Sequence, residues 1–176
     1  PDYRGKPLDA EILIYSLRKG RSFVTNGPMI ALKVNSLESP GGLVQAKGGK
    51  PDISLHVWAA PWVDVNEVRL VLNGERRIIF PVQAREGSID KLTQEIGVTL
   101  TRDTYICAEV LGRKTLFPVL QRPSGSGLLE DGTLPYALTN PVFVDVDGNG
   151  RFEPLLNEKV LPTAVPGGSY KKVSRN

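Results

Sequence analysis

Glu67-Val68-Arg69-Leu70-Val71-Leu72-Asn73-Gly74-Glu75 is an alternating apolar run closed by a two-residue turn signal. Val68, Leu70 and Leu72 recur at every second position, so they share one face of an extended strand while Arg69 and Val71 take the other. Asn73-Gly74 supplies two residues that tolerate positive φ, which a type I′ hairpin turn requires at both central positions. The expectation is a hairpin pairing Glu67–Leu72 with Glu75–Phe80. Outward from it, Ile53-Ser54-Leu55-His56-Val57-Trp58 has the same period. Further strand-like runs lie at Ser22–Thr25, Met29–Val34, Ile53–Ala59, Arg77–Val82, Gln94–Leu100, Thr104–Leu111, Leu116–Leu120 and Pro141–Val146. Turn residues punctuate them roughly every eight to twelve positions, which predicts a mainly β chain built as an immunoglobulin-like antiparallel β-sandwich.

One segment has the helical period instead. Ala10, Leu13, Ile14 and Leu17 share a face of a helix running from Ala10 to Lys19, with Asp9 as N-cap. Arg18 and Lys19 fall in the last turn, where cations favour the helix dipole, and Gly20 can supply the left-handed residue that ends it. Pro40-Gly41-Gly42, Lys47-Gly48-Gly49-Lys50-Pro51 and Pro123-Ser124-Gly125-Ser126-Gly127 read as loops. The expected organisation is an N-terminal helix over residues 1–20, a sandwich over 21–161 and a flexible tail over 162–176. The chain opens on Pro1 rather than methionine, as an excised piece of a longer protein would, so an export signal on a parent would lie outside it.

Composition narrows the classes. With 176 residues and 40% apolar side chains, one domain can build a core without metal or disulfide staples. The net charge of +3 sits in the last residues, where Lys171, Lys172 and Arg175 have no acidic neighbour; the remainder balances 19 acids with as many bases. A neutral body argues against a surface that tracks phosphates, so no nucleic-acid partner is expected. No run approaches the ~20 apolar residues of a membrane span. A single cysteine, Cys107, excludes a disulfide framework and leaves the compartment open; among Tyr105, Ile106 and Ala108 it reads as a buried thiol rather than a nucleophile.

Catalytic constellations are scarce. Hydrolytic metal centres gather several imidazoles and carboxylates, and His56 is the only histidine. A Ser-His-Asp triad would have to use that same residue, and no nucleophile elbow or phosphate-binding loop accompanies it. Trp58 and Trp62 read as core residues, with a sugar-stacking platform as the competing reading.

One motif carries a sharper signal. In Asp145-Val146-Asp147-Gly148-Asn149-Gly150-Arg151-Phe152-Glu153, oxygens at alternating positions can converge on calcium, and Gly150 stands five residues after Asp145, where EF-hand loops need glycine. Asp145, Asp147 and Asn149 would bind by side chain, Arg151 by its backbone carbonyl and Glu153 in the ninth place. The twelfth position is Leu156 instead of a bidentate glutamate, so Glu158 or a remote carboxylate would have to complete the shell. The competing reading is a β-turn in which these side chains bond their own backbone.

Three blocks keep their order across residues 10–154: Gly20-Arg21-Ser22-Phe23-Val24-Thr25-Asn26-Gly27-Pro28; Ala60-Pro61-Trp62-Val63-Asp64-Val65-Asn66 with Leu72-Asn73-Gly74-Glu75; and Ala137-Leu138-Thr139-Asn140-Pro141-Val142-Phe143-Val144-Asp145 running into Val146-Asp147-Gly148-Asn149-Gly150. Together they resemble the C-terminal region of CehA/McbA-type metallohydrolases of the polymerase-and-histidinol-phosphatase (PHP) superfamily. The resemblance implies a non-catalytic accessory domain whose partner is an N-terminal catalytic barrel of the same polypeptide. That barrel would hold zinc, manganese or iron on His-x-His and Asp-x-His motifs and hydrolyse an ester or phosphoester. No position here matches those motifs. The helix would then be the last element of the barrel, and its apolar face would stand uncovered in this chain. The alternative is an independent immunoglobulin-like module with a glycan or protein ligand, which predicts exposed aromatics.

Overall fold

The computed structural model describes residues 9–35, 40–83, 87–120 and 132–153, with the side chains of residues 76 and 77 left aside. The expected tail, the loop at Pro123–Gly127, and Leu156 and Glu158 lie outside the described residues. Among the described residues one helix, α1 (Ala10–Arg18), precedes ten strands. They are β1 (Phe23–Thr25), β2 (Met29–Val34), β3 (Leu43–Gln45), β4 (Asp52–Trp58), β5 (Glu67–Leu72), β6 (Glu75–Pro81), β7 (Asp90–Gly97), β8 (Thr104–Leu111), β9 (Tyr136–Thr139) and β10 (Val142–Asp145).

The strands form a β-sandwich of a seven-stranded and a three-stranded sheet. In the larger sheet β8 is central. Strand β5 runs antiparallel along one side of it, from Glu67 opposite Leu111 to Leu72 opposite Ile106. On the other side β10 pairs with its first half and β9 with its second. Strand β6 extends the sheet beyond β5, and β1 extends it beyond β9. The expected all-antiparallel order needs one correction, because β3 joins β10 in parallel. The smaller sheet is β2-β4-β7, antiparallel throughout.

The expected hairpin forms: Leu72 faces Glu75, with φ of 49° at Asn73 and 82° at Gly74. The Asn73 side chain also fastens the turn to the next strand, its Oδ1 accepting the Tyr105 N–H at 2.9 Å. Alternation decides the core. Ile53, Leu55 and Val57 of β4 face Val68, Leu70 and Leu72 of β5 and Ile106, Ala108 and Val110 of β8, all buried, with Ile30, Leu32 and Val34 of β2 beside them. Burying one such side chain contributes about 1.5–3 kcal/mol, so these two inward faces carry the fold.

Several boundaries differ from expectation for identifiable reasons. Residues 116–120 form a turn, closed by Val119 and Leu120 N–H groups on the Leu116 carbonyl; only Leu116 of this apolar run enters the core. Strand β7 begins at Asp90, before the expected Gln94, since its inward series opposite β4 is Leu92, Gln94 and Ile96 and only the last is fully buried. Strands β3 and β9 are three and four residues long, too short to show a period. Cys107 is half-buried, because Ile106 and Ala108 take the inward positions; desolvation pushes its thiol pKa up.

The tryptophans also depart from the core reading. Trp58 follows Ser54 and His56 on the outward face of β4 and is half-buried, while Trp62 is 58% exposed in the turn that follows.

Candidate functional site

The loop after β10 is built around Asp145, whose side chain is fully buried. Its Oδ1 accepts the Gly148 N–H at 2.6 Å and its Oδ2 the Gly150 N–H at 2.7 Å. Both glycines have positive φ, 78° and 81°, so the chain can curl around the carboxylate only where a Cβ would not be strained. Asp147 and Asn149 repeat the device two residues on: Asp147 Oδ1 accepts from Asn149 N–H, and Asn149 Oδ1 from Arg151 N–H. Burial alone would raise the Asp145 pKa. The N–H groups of Gly150 and Gly148, the Asp147 side chain and the Asn149 N–H outweigh it, and the carboxyl titrates below its ordinary range.

Sequence spacing gave no hint of the third carboxylate. Asp103 precedes β8, and the antiparallel register that sets Val144 opposite Thr104 brings it alongside Asp145. Its Oδ1 accepts the Val146 N–H and its Oδ2 the Glu153 N–H, each at 2.9 Å, so it clamps both ends of the loop. Asp103, Asp145 and Asp147 each offer an oxygen within 4.8 Å of the others. No other such group of three or more occurs among the described residues. Of the remaining calcium-template residues, Asn149, Arg151 and Glu153 are exposed; Glu153 contributes its backbone N–H, and its carboxylate is not among the converging oxygens. Each carboxylate oxygen of Asp103 and Asp145 accepts one N–H and keeps a second lone-pair direction. The hydrogen bonds build a carboxylate-nucleated turn without using up the oxygens' capacity to meet a cation.

The one histidine stands apart from this carboxylate group. His56 stands on the outward face of the smaller sheet, whereas Asp103 and Asp145 belong to the larger one. Its Nε2 lies 3.0 Å from Asp90 Oδ1, and its ring packs on Trp58 with centroids 4.9 Å apart. A buried carboxylate on the outer face of the larger sheet, Glu109, is held by Arg69 Nη1 at 3.3 Å and the Tyr136 hydroxyl at 3.2 Å; Arg69 also bonds Glu67.

The other conspicuous surface is α1. Asp9 caps it by accepting the N–H groups of Glu11 and Ile12, and Gly20 closes it at φ 67°. Its C-terminal end is seated on the body through Gly41: a Cβ there would lie 1.9 Å from the Lys19 carbonyl oxygen. Yet the helix buries no residue, and Ile12, Leu13, Ile14, Tyr15 and Leu17 are 43–55% exposed.

Fold and loop together define a β-sandwich domain with one uncovered amphipathic helix. Comparison with protein-family models, curated proteins and solved structures returns no match.

Proposed function

We propose that this chain is a non-catalytic accessory β-domain of a larger PHP-type metal-dependent hydrolase, docked on the catalytic barrel through the apolar face of α1. The observation that carries this reading is the exposure of Leu13, Ile14 and Leu17, which share one face of a capped helix, with Ile12 and Tyr15 exposed on its other sides. Single exposed apolar residues are ordinary, but a contiguous group is the mark of an interface. The length of α1 points the same way, since isolated helices shorter than ~12–15 residues are marginal in water and gain their stability from a covered face. The three sequence blocks supply the identity of the neighbour. Zinc, manganese or iron in that barrel would activate the hydrolytic water; this chain, with one histidine paired to Asp90, would support the barrel and not the chemistry.

The test is a side-by-side assay of the longer polypeptide and this chain, both purified without chelator. Bound metal and phosphodiesterase or esterase turnover are expected only in the longer protein. Turnover by this chain alone, or a parent reading frame without a histidine- and aspartate-rich barrel, would overturn the proposal. A second reading, an independent binding module, is favoured by one observation: Trp62 is exposed.

A further inference from the structure

The two sheets differ in what they turn outward. An antiparallel sheet with one solvated face alternates apolar residues inward with polar residues outward. The smaller sheet does so: one outward row across it, set by the strand register, reads Lys33, Ser54 and Glu95. The larger sheet departs from that rule. Its longest outward row crosses five strands, from Ile79 on β6 through Arg69, Glu109 and Leu138 to Val24 on β1. The rows beside it place Val71 next to Cys107, and Tyr105 next to Phe143 and Leu43. Ile79, Val24 and Leu43, at the ends of these rows, are 54%, 61% and 41% exposed. In β8 itself Tyr105-Ile106-Cys107-Ala108 is apolar on both faces, the pattern of a strand covered on both sides.

The ion cluster on this face is satisfied within it. Arg69 Nη1 reaches Glu109 Oε2 at 3.3 Å, and its Nε donates to Glu67. The Tyr136 hydroxyl donates to Glu109 Oε1 at 3.2 Å. Arg69, Glu67 and Glu109 therefore need no counter-charge from a partner, and burying them would leave none of the three unpaired.

We propose that the outward face of the larger sheet pairs with the same face of a second copy of this chain, in a twofold, sheet-on-sheet dimer. Size and charge select that occupant. Five strands at ~4.8 Å spacing, by the length of β8 at ~3.4 Å per residue, cover on the order of 600 Å² in projection. Each partner of a stable complex buries about 800 Å² of accessible surface, which exceeds its projected area, so the face is of the size a dimer needs. Unlike partners are selected by complementary charge, whereas this face presents an already paired cluster set among apolar rows. Such a surface meets its own copy without like-charge conflict, and a twofold axis lets one patch serve both sides. Stacked sheets pack about 10 Å apart, which is the depth of two facing side-chain layers. The dimer goes beyond the accessory role and is independent of it, because it uses no residue of α1.

Sedimentation equilibrium of this chain from about 1 to 200 μM tests the pairing. A monomer–dimer equilibrium is expected, weakened about tenfold or more in Val24→Glu and in Leu43→Glu. Both side chains are exposed on edge strands, so the variants should fold, and an unchanged urea midpoint checks that they do. Leu13→Glu on α1 is the control and should leave the dimer intact. A chain that stays monomeric throughout this range, or a dimer lost in Leu13→Glu and kept in the other two variants, rules the sheet-face pairing out. Metal content and turnover of the longer polypeptide test the accessory role separately and stand whichever way this measurement falls.

Discussion

Strand β4 and helix α1 are similar in length and opposite in fate. In Asp52–Trp58 every second residue is apolar, and Ile53, Leu55 and Val57 are at most 1% exposed. In Ala10–Arg18 the apolar residues are more numerous and larger, the caps are in order, and nothing is buried. The two differ in what lies opposite. Strand β4 sits between β2 and β7 and faces the larger sheet, whereas α1 is tied to the body at its C-terminal end, where Lys19 and Gly20 approach Gly41. Amphipathicity thus shows which face an element offers to a partner; it does not show that the partner belongs to the same chain.

That contrast can be broken by substitution. Leu55→Ala should cost about 2–5 kcal/mol in urea unfolding, because a fully buried leucine leaves a cavity in a sheet that cannot collapse. Leu13→Ala in this chain should stay within about 0.5 kcal/mol. If Leu13→Ala were as costly as Leu55→Ala, α1 would be part of this core and the docking proposal would lose its ground.

A second test compares the hairpin turn, held by backbone conformation, with the Asp145 loop, held by charge. A carboxyl whose folded pKa lies below its unfolded value stabilises the protein above the unfolded pKa, and that contribution is lost as pH falls through the folded value. The Asp145 pKa is lowered, so acid should weaken the wild type as this group takes up its proton. Asp145→Asn should be less stable at neutral pH, since an amide oxygen replaces two acceptor oxygens on Gly148 and Gly150, and its unfolding midpoint should depend less on pH below about 4. Equal acid sensitivity in the two proteins would mean that the loop charge contributes nothing.

The smallest expected effect is that of calcium. With leucine at the twelfth template position and the Glu153 carboxylate outside the converging group, the shell lacks a bidentate ligand, and calorimetry should show no calcium affinity tighter than about 1 mM. Saturation at lower concentration would make Asp103, Asp145 and Asp147 metal ligands, with the turn as their scaffold.

Legibility in the sequence followed the strength of local signals. The hairpin at Asn73-Gly74, strands β2, β5 and β8, and the caps of α1 could be read because each is encoded within a few neighbouring residues. Strands β3 and β9 could not, since they are held by pairing with β10 and β8 and carry no period of their own. Asp145, Asp147 and Asn149 were visible as a motif, but Asp103 was not: it reaches the loop only through the register of β8 with β10. Trp62 was misread because an aromatic in an apolar neighbourhood looks like core until the turn at Ala60–Val63 places it outside.

What the sequence determined by itself was the period of each strand, the sharp turns and the helix ends, because φ restrictions and side-chain alternation act over a few bonds. Tertiary structure alone decided which carboxylates meet, which tryptophan is exposed and which apolar face is left uncovered. Those outcomes depend on contacts between residues tens of positions apart, whose geometry exists only once the sheets have paired.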